Sequence, residues 1–394
     1  MNSSKNIPQL RFPEFNGEWE EKKLVNVTNN EDSRRRPVSK TNRKDGDYPY
    51  YGANGIQDYI DNYIFDGDYL LVGEDGSVLS SDNTPVINWA SGKFWVNNHA
   101  HVLSQKGDNS LKYVSYILST IKIPGLVTGI PPKLNQENLN NILLPIPPRV
   151  SEQKKIAECL SAVDDMISAQ GEKVDALKEK KKGMMQQMFP QRGETTPRLR
   201  FPGFTREWEE KRFSELYEKH NVKNDLSFGV DKIISVANMY YKTDANVGDE
   251  DYLKTYNIFR IGDIAFEGNK NANFAFGRFV ENTIGDGIVS HVFDVYSPIS
   301  PNHCIDYWKY AINYERIMRP VLEKSTIKST MMTNLIGKDF LKQSILVPSP
   351  AEQQKIAECL SAMDYMIASE SAKLDALKDH KKGLMQQLFP QPNK

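Results

Sequence analysis

The chain repeats itself over most of its length, and this repeat restricts its possible folds more than any other feature. The run Pro8-Gln-Leu-Arg-Phe-Pro13 recurs as Pro197-Arg-Leu-Arg-Phe-Pro202, 189 residues later. A longer run that begins at Glu152 recurs at Glu352, 200 residues later, and 27 of the 40 positions from 152 to 191 are identical in the two copies. A repeat of this kind is one structural unit used more than once, so the sequence predicts two halves built to one plan.

The stretches between the matching runs differ in the two halves. Residues 25–143 show little resemblance to residues 214–345, and the offset between the copies grows by 11 residues across them. We call these two stretches the private domains, because each is found in one half only. An old duplication with drifting middle parts is the alternative, but drift should also have eroded the long matching runs. The predicted divisions are an opening segment at 1–24, a private domain at 25–143, a long helix and linker at 144–195, a second opening segment at 196–213, a second private domain at 214–345 and a second long helix at 346–394.

The matching runs after residues 150 and 350 carry a heptad pattern. Their apolar residues alternate spacings of four and three, which is typical of a coiled-coil seam. A helix of about 38 residues would span roughly 57 Å, and alone it would leave this seam in water. We therefore expect the two helices to pair antiparallel, with an internal pseudo-twofold symmetry; the alternative is that each helix packs on its own domain. The predicted interface residues are Ile156, Leu160, Val163, Ile167, Val174, Leu177, Ile356, Leu360, Met363, Ile367, Leu374 and Leu377.

The private stretches indicate mixed α/β domains. Residues 68–72 and 94–96 have the β-branched and aromatic character of strands, and 112–119 is helical in pattern. The second stretch predicts strands at 232–237 and 287–296 and a helix around 306–318. The fold class is therefore mixed α/β, with two globular domains joined by two long antiparallel helices.

Composition limits the partners and the compartment. The net charge of −1 provides no bulk attraction for nucleic acid, so DNA binding would depend on local patches. The cysteines, Cys159, Cys304 and Cys359, are too sparse for a disulfide framework. No apolar run approaches the roughly 18 residues of a membrane span, and the polar N-terminus lacks the apolar core of a signal peptide, which predicts a cytoplasmic protein.

Basic and amide side chains cluster beside aromatic residues in both private domains. Arginine and lysine contact phosphates, asparagine and glutamine contact base edges, and aromatic rings stack on bases. For any single residue, a solvated charged loop is an equally good interpretation. The DNA-binding candidates are Arg34, Arg35, Arg36, Lys40, Arg43, Lys44, Tyr50, Tyr51, Asn54, Gln57 and Lys133 in the first domain, and Lys270, Asn271, Asn273, Arg278, Lys324 and Lys328 in the second.

Signatures of catalysis are weak in this sequence. It contains no Gly-x-x-x-x-Gly-Lys phosphate loop and no Asp/Asn-Pro-Pro-aromatic motif of an amino-methyltransferase. Asp263, Glu267 and Lys270 approach the spacing of a metal-dependent nuclease, but the lysine is one residue too far along. His99 and His101 share one strand face, and two imidazoles without further ligands predict a structural pair. We expect no catalytic residue and no metal site on this chain.

With the repeat and the helices described, the chain resembles the specificity subunit of type I restriction–modification systems. The resemblance is carried by Leu144-Pro-Ile-Pro-Pro148 before Glu152-Gln-Lys-Lys-Ile-Ala157, and by Leu346-Val-Pro-Ser-Pro350 before Glu352-Gln-Gln-Lys-Ile-Ala357. Trp19 and Trp208 stand at the start of the two private domains, and the resemblance covers nearly the whole chain. It implies that 25–143 and 214–345 are target-recognition domains, each for one half of an asymmetric bipartite DNA site.

The resemblance also implies partners. The paired helices would set the spacer between the half-sites and dock two modification (methyltransferase) subunits on double-stranded DNA, and restriction (motor–nuclease) subunits would join the assembled complex. S-adenosylmethionine, ATP and magnesium would bind to those partners, with no cofactor on this non-catalytic chain. Two alternatives stay open: a single-chain nuclease or methyltransferase, and a protein-interaction scaffold that never contacts DNA.

Overall fold

The computed structural model describes residues 6–191, 193–242, 249–328 and 332–390. The chain divides into two units, one made of Met1–Glu172 with Ser371–Lys394 and the other of Lys173–Glu370. Each unit therefore contains one private domain, the beginning of one long helix and the end of the other. Among the described residues, no helix is both long enough and apolar enough to cross a membrane.

The first unit is a mixed α/β domain. Its sheets have the strand orders β2-β9-β6-β7 and β4-β3-β8-β5, and β1 pairs with β10. The strands are β1 (Glu20–Lys23), β2 (Thr28–Asn30), β3 (Asp45–Gly52), β4 (Gly55–Ile60), β5 (Phe65–Asp66), β6 (Tyr69–Gly73), β7 (Ile87–Ala90), β8 (Lys93–Val96), β9 (Ala100–Gln105) and β10 (Leu143–Ile146). The helices are α1 (Leu24–Val27), α2 (Leu111–Leu118), α3 (Gln136–Asn140) and α4 (Val150–Met188), which continues into the second unit.

Strand β6 explains how this domain is layered. Its side chains alternate between the two faces of the sheet. Leu70 and Val72 pack into the cluster that contains α2, whereas Leu71 packs into a cluster with Phe65 and Phe94 of the second sheet. Both faces of β6 are therefore covered, which is why Tyr69–Val72, within the predicted strand at 68–72, is apolar without interruption.

The second unit repeats this plan with different residues. Its sheet β12-β19-β16-β17 has the same order as β2-β9-β6-β7, and β11 pairs with β22 as β1 pairs with β10. The strands are β11 (Glu209–Arg212), β12 (Tyr217–Lys219), β13 (Ile234–Ser235), β14 (Tyr240–Tyr241), β15 (Asn257–Phe259), β16 (Ile264–Glu267), β17 (Arg278–Glu281), β18 (Gly287–Val289), β19 (Val295–Pro298), β20 (Thr326–Lys328), β21 (Thr333–Leu335) and β22 (Ser344–Val347). The helices are α5 (Phe213–Leu216), α6 (Ile305–Ala311), α7 (Glu315–Ser325), α8 (Gly337–Lys342) and α9 (Pro350–Leu388), which continues into the first unit.

Two predicted elements of the second domain are interrupted. The helix expected around 306–318 is two helices, α6 and α7, because Tyr314 has an extended backbone (φ −82°, ψ 102°). The strand expected at 287–296 is β18 and β19, separated by a turn in which Phe293 N–H donates to the Ser290 carbonyl at 3.0 Å. Apolar residues continue on both sides of each break, so periodicity alone could not reveal it.

The two long helices pair antiparallel, as predicted. In the second unit, Lys181 of α4 binds Asp364 of α9 at 2.6 Å, and Lys173 of α4 binds Glu370 of α9 at 3.0 Å. Residue numbers along α4 therefore decrease as those of their partners along α9 increase, as in an antiparallel pair. In the first unit, Lys381 of α9 binds Asp164 of α4 at 2.6 Å. We call β1, β10 and α4, together with β11, β22 and α9, the frame.

The seam is shared with the domain cores. Ile156 and Leu160 belong to a buried cluster that contains both Leu388 and the first domain, and Ile356 and Leu360 belong to the equivalent cluster of the second. Each long helix therefore packs both on its own private domain and on the other long helix, so the two alternatives are both realised. Of the other predicted interface residues, Val163, Val174 and Met363 are buried, and Ile167, Leu177, Ile367, Leu374 and Leu377 are half-buried.

Candidate nucleic-acid interface

The three consecutive arginines of the first domain have different surroundings. Arg34 is partly exposed, lies 4.5 Å from the centroid of the Phe65 ring and donates to the Tyr69 hydroxyl at 3.2 Å. Arg35 is largely buried and paired with Asp32 and Glu74. Arg36 is exposed and donates to the main-chain carbonyls of Ser33 and Arg35. Arg34 and Arg36 are therefore both accessible, whereas Arg35 has a structural part.

Arg43 and Tyr50 hold the basic segment against strand β3. The guanidinium of Arg43 lies 4.1 Å from the centroid of the Tyr50 ring and binds Asp58 at 3.1 Å. Tyr50 is buried, and its hydroxyl accepts the N–H of Val38 at 3.0 Å. The prediction that Tyr50 contacts a base is therefore corrected, because its ring belongs to the core of the domain.

The remaining candidates of this domain lie at or near the surface. Tyr51 is half-buried, with its ring edge-on to Phe94 at 5.6 Å between centroids, and burial raises the pKa of Tyr51. Asn54 donates to Ser77 at 2.7 Å, and Gln57 accepts from Asn97 at 3.3 Å. The exposed side chains of this group are Lys40, Lys44, Asn54 and Gln57.

A buried ion network lies beneath these loops. Nδ1 of His101 is 2.5 Å from Asp32, and Nε2 is 2.8 Å from the carbonyl oxygen of Leu134. A carbonyl only accepts, and so does an ionised carboxylate. Both ring nitrogens of His101 therefore face hydrogen-bond acceptors of the protein.

Positive neighbours keep the carboxylates of this network ionised. Burial works against the charge of Asp32, but the hydrogen bond and charge of His101 outweigh it, and the pKa of Asp32 is lowered. Burial also opposes the charge of Glu74, whereas bonds from Arg35 and Lys133 lower the pKa of Glu74 overall. Ligand atoms of Asp32, Glu74 and His101 lie within 4.8 Å of one another, as in a metal site. Since both ring nitrogens of His101 already have protein partners, and Arg35 and Lys133 lie against the carboxylates, the residues fit an ion network better than a metal.

Lys133 connects this network to a surface hairpin. Its ammonium lies 3.0 Å from Glu74, and the side chain is half exposed. Thr128 and Lys133 each donate a main-chain N–H to the other's carbonyl, at 2.9 and 2.8 Å. We call residues 128–133 the first hairpin. Its tip carries Ile130, whose side chain is fully exposed. The sequence did not single out Ile130 as a candidate site residue, because one isolated isoleucine forms no recognisable pattern.

The candidates of the second domain form two groups. Asn271 closes a turn by accepting the N–H groups of Asn273 and Phe274 at 2.8 and 3.0 Å. Arg278 lies 4.9 Å from the Phe274 ring centroid and donates to the Ala237 carbonyl, and Lys270 is half-buried nearby in sequence. Lys324 is exposed at the end of α7, and Lys328 lies in β20, with its side chain outside the described residues. Lys324 thus lies just before the β20–β21 ribbon, and Lys328 lies within it.

The nuclease-like acid of the second domain is used structurally. Asp263 is buried, and its carboxylate accepts the N–H of Arg260 at 2.7 Å. Burial raises the pKa of Asp263. An acid that closes a turn in this way does not present its oxygens to a substrate.

Each opening segment forms an ion pair with a long helix, and the sequence analysis did not predict either pair. Arg11 binds Glu152 in bidentate geometry at 2.7 and 2.9 Å, and Arg200 binds Glu352 at the same two distances. Both glutamates are buried. The signal was present in the sequence, because each arginine lies in the repeated Leu-Arg-Phe-Pro motif.

The duplicated fold is that of a DNA-specificity protein. A family model described as "Type I restriction modification DNA specificity domain" matches residues 16–179 and 205–379. The chain belongs to this family and contains two copies of its domain.

Individual proteins show the same relationship. The Haemophilus influenzae protein S.HindORF215P is 39% identical over 152 residues, which cover 38% of this chain and 38% of that protein's own length. The type I restriction enzyme MjaVIII specificity subunit of Methanocaldococcus jannaschii is 22% identical over 98% of this chain and 94% of its own. The crystal structure of the type I restriction-modification S subunit from M. genitalium shares the fold, with a TM-score of 0.64 at 14% identity over 98% of this chain and all of that one.

Proposed function

We propose that each private domain of this chain reads one half of a split DNA site for a type I restriction–modification enzyme. The observation that carries the proposal is one frame, with equivalent strand pairs and equivalent helix contacts in its two halves, holding two domains of different sequence. Different domains read different bases, so the target is asymmetric. Phosphate contacts supply affinity, and groove contacts supply specificity.

In the same proposal, the paired helices set the number of unread base pairs between the half-sites. They also dock two modification subunits, through which the restriction subunits join. Exposed apolar side chains at equivalent positions, Met166 and Met366, support a docking role for the helices. Half-site spacing then follows from protein geometry, as it does in symmetric dimeric DNA readers.

The chain supplies recognition and its partners supply chemistry. S-adenosylmethionine binds to the modification subunits, and ATP and magnesium bind to the motor–nuclease subunits. The structural parts played by Asp263 and by the Asp32–Glu74–His101 network support this division. The purified chain, given DNA with metal or methyl donor, should neither cleave nor methylate; activity without partners would support the single-chain enzyme instead.

Methylome sequencing of a host that expresses this chain with its modification partner tests the proposal directly. We expect a new methylated motif made of two short specific parts and an unspecified gap. A host carrying the partner alone is the control. A continuous motif, or no new motif despite an assembled complex, would contradict the proposal.

Grafting a foreign recognition domain in place of residues 25–143 tests the division of labour. Only one half of the methylated motif should change, because 214–345 is untouched. A change in both halves would show that the domains do not read separately. If DNA binding by the assembled complex hardly depended on salt, the scaffold alternative would gain support, since phosphate contacts release counterions.

A further inference from the structure

We propose that the first hairpin, residues 128–133, contacts the bases of one half-site and that Ile130 is its contact residue. This inference rests on the proposed function and names the part of the domain that enters the DNA. Ile130 is the most exposed of the large apolar side chains in the described ranges, at 103% against 77% for the next, Tyr365. An apolar side chain held so far from the core has no stabilising role in the folded domain.

The hairpin is rigidly held at its base. The main-chain bonds between Thr128 and Lys133 close it, and Gly129 adopts a left-handed backbone (φ +84°) that favours glycine. Pro131 and Pro132 further restrict the tip. Leu134, the next residue, is buried; its N–H donates to the Glu74 carbonyl at 2.8 Å, and its carbonyl accepts from His101. A tip ordered before binding loses little conformational entropy when a ligand arrives.

The second domain has a hairpin at the same place in its fold. Leu134 N–H donates to the carbonyl that follows β6, and Thr333 N–H donates at 2.9 Å to the Gly268 carbonyl that follows β16. In the second domain this hairpin is the β20–β21 ribbon, which carries the exposed Ile327. Both domains therefore place an exposed isoleucine before the last short helix, on sequences that otherwise differ.

The shape of the first hairpin favours DNA over a protein partner. The first hairpin is closed by one bridge, between Thr128 and Lys133, so it is no wider than the two-stranded ribbons that fit the major groove of about 12 Å. A tip with one protruding side chain covers far less than the roughly 800 Å² per partner of a stable protein interface. Inside a groove, an isoleucine either packs on a thymine methyl or inserts between base pairs.

The test compares Ile130→Ala with Leu143→Ala, which removes another exposed apolar side chain, on β10. Each variant is assembled with the modification subunit, and its affinity is measured for the motif found by methylome sequencing and for unrelated DNA. Ile130→Ala should weaken binding to the motif by about tenfold and leave unrelated DNA unaffected. Leu143→Ala should bind both duplexes like the wild type, and matching thermal melts confirm that all three proteins are folded.

Two modified duplexes identify the contact. If Ile130 packs on a methyl, replacing thymine by uracil in the half-site weakens the wild type and not Ile130→Ala. If it inserts between bases, 2-aminopurine fluorescence at that step rises with the wild type only. Equal affinity of Ile130→Ala and wild type for the motif overturns this inference, as does a loss confined to assembly with the modification subunit. Absence of any DNA binding by the wild-type complex would instead overturn the proposed function.

Discussion

Two arginines of the second opening motif show how burial decides the importance of an ion pair. Arg200 binds Glu352, which is buried, whereas Arg198 binds Glu194 at the surface. Removing one partner of a buried pair leaves an uncompensated charge, which commonly destabilises a protein by about 3–5 kcal/mol. Exposed pairs contribute about 0–1 kcal/mol.

We therefore predict that Arg200→Ala lowers the free energy of unfolding by about 3 kcal/mol or more. Arg198→Ala, two residues away, should change it by less than about 0.5 kcal/mol. Urea denaturation of both variants measures the difference. Similar losses in the two variants would mean that Glu352 is not held by Arg200.

The buried network of the first domain predicts sensitivity to acid. The pKa values of Asp32 and Glu74 are lowered from their ordinary 3.8 and 4.5, so the unfolded state binds more protons as the pH falls through this range. Their contribution to stability is complete above about pH 4.5 and is lost as the pH falls through the lowered values.

Asp32→Asn tests the contribution of this charge. The variant should be less stable at neutral pH by about 1–3 kcal/mol, and its stability should depend less on pH below 4.5 than that of the wild type. Denaturation midpoints between pH 3 and 7, measured for both proteins, compare the slopes. Parallel curves would rule out Asp32 as a source of the acid sensitivity.

At the level of secondary structure, the long helices combine two kinds of packing. The beginning of each long helix is buried partly by a private domain and partly by the end of the other long helix. A heptad pattern alone does not show this double packing. Glycine weakens a helix, so Gly183 and Gly383, inside the heptad pattern, predict a bend or a close contact. No atom lies within 4 Å of where their Cβ would be, so the close contact is wrong. Both positions are instead tolerated inside a continuous helix.

Core positions of the helices should differ sharply from their exposed positions. Leu160 and Leu360 are fully buried, so Leu160→Ala and Leu360→Ala should each lower the free energy of unfolding by about 2–5 kcal/mol. Met166→Ala and Met366→Ala, on the exposed face, should stay within about 0.5 kcal/mol of the wild type. Chemical denaturation of the four variants provides the comparison. A small loss at Leu160 or Leu360 would contradict the shared core.

For the complete molecule, the division between the units indicates where the spacer can be lengthened. The contacts of α4 pass from one unit to the other after Glu172, and those of α9 pass after Glu370. One heptad inserted at both points preserves the seam and adds about 10.5 Å of helix. This corresponds to roughly three base pairs of duplex at 3.4 Å each.

We predict that the double insertion lengthens the unspecified gap of the methylated motif by about three base pairs and leaves both half-sites unchanged. Methylome sequencing reads all three quantities at once. An insertion of equal length in the exposed turn at Gly107 is the control and should leave the gap as it was. An unchanged gap in the helix variant would refute the spacer role of the helices.

The long helices of the frame could be predicted from the sequence alone. Repetition and heptad spacing are local patterns, so they predicted both long helices. Runs of β-branched and aromatic residues are local as well, and they predicted the strands β6 and β8 and with them the α/β class. Family membership followed from the same repeated motifs. These features need no knowledge of which distant residues meet.

The candidate interface depended on contacts between distant residues. Arg35 and Arg36 are neighbours in the chain, yet Arg35 is drawn inward by Glu74, 39 residues away, while Arg36 stays exposed. Tyr50 is withdrawn into the core, and Ile130 is raised to the surface by a hairpin anchored on Glu74 and His101. Composition cannot predict which of these side chains is buried and which is exposed, because burial is decided by long-range packing and not by the neighbours of a residue in sequence.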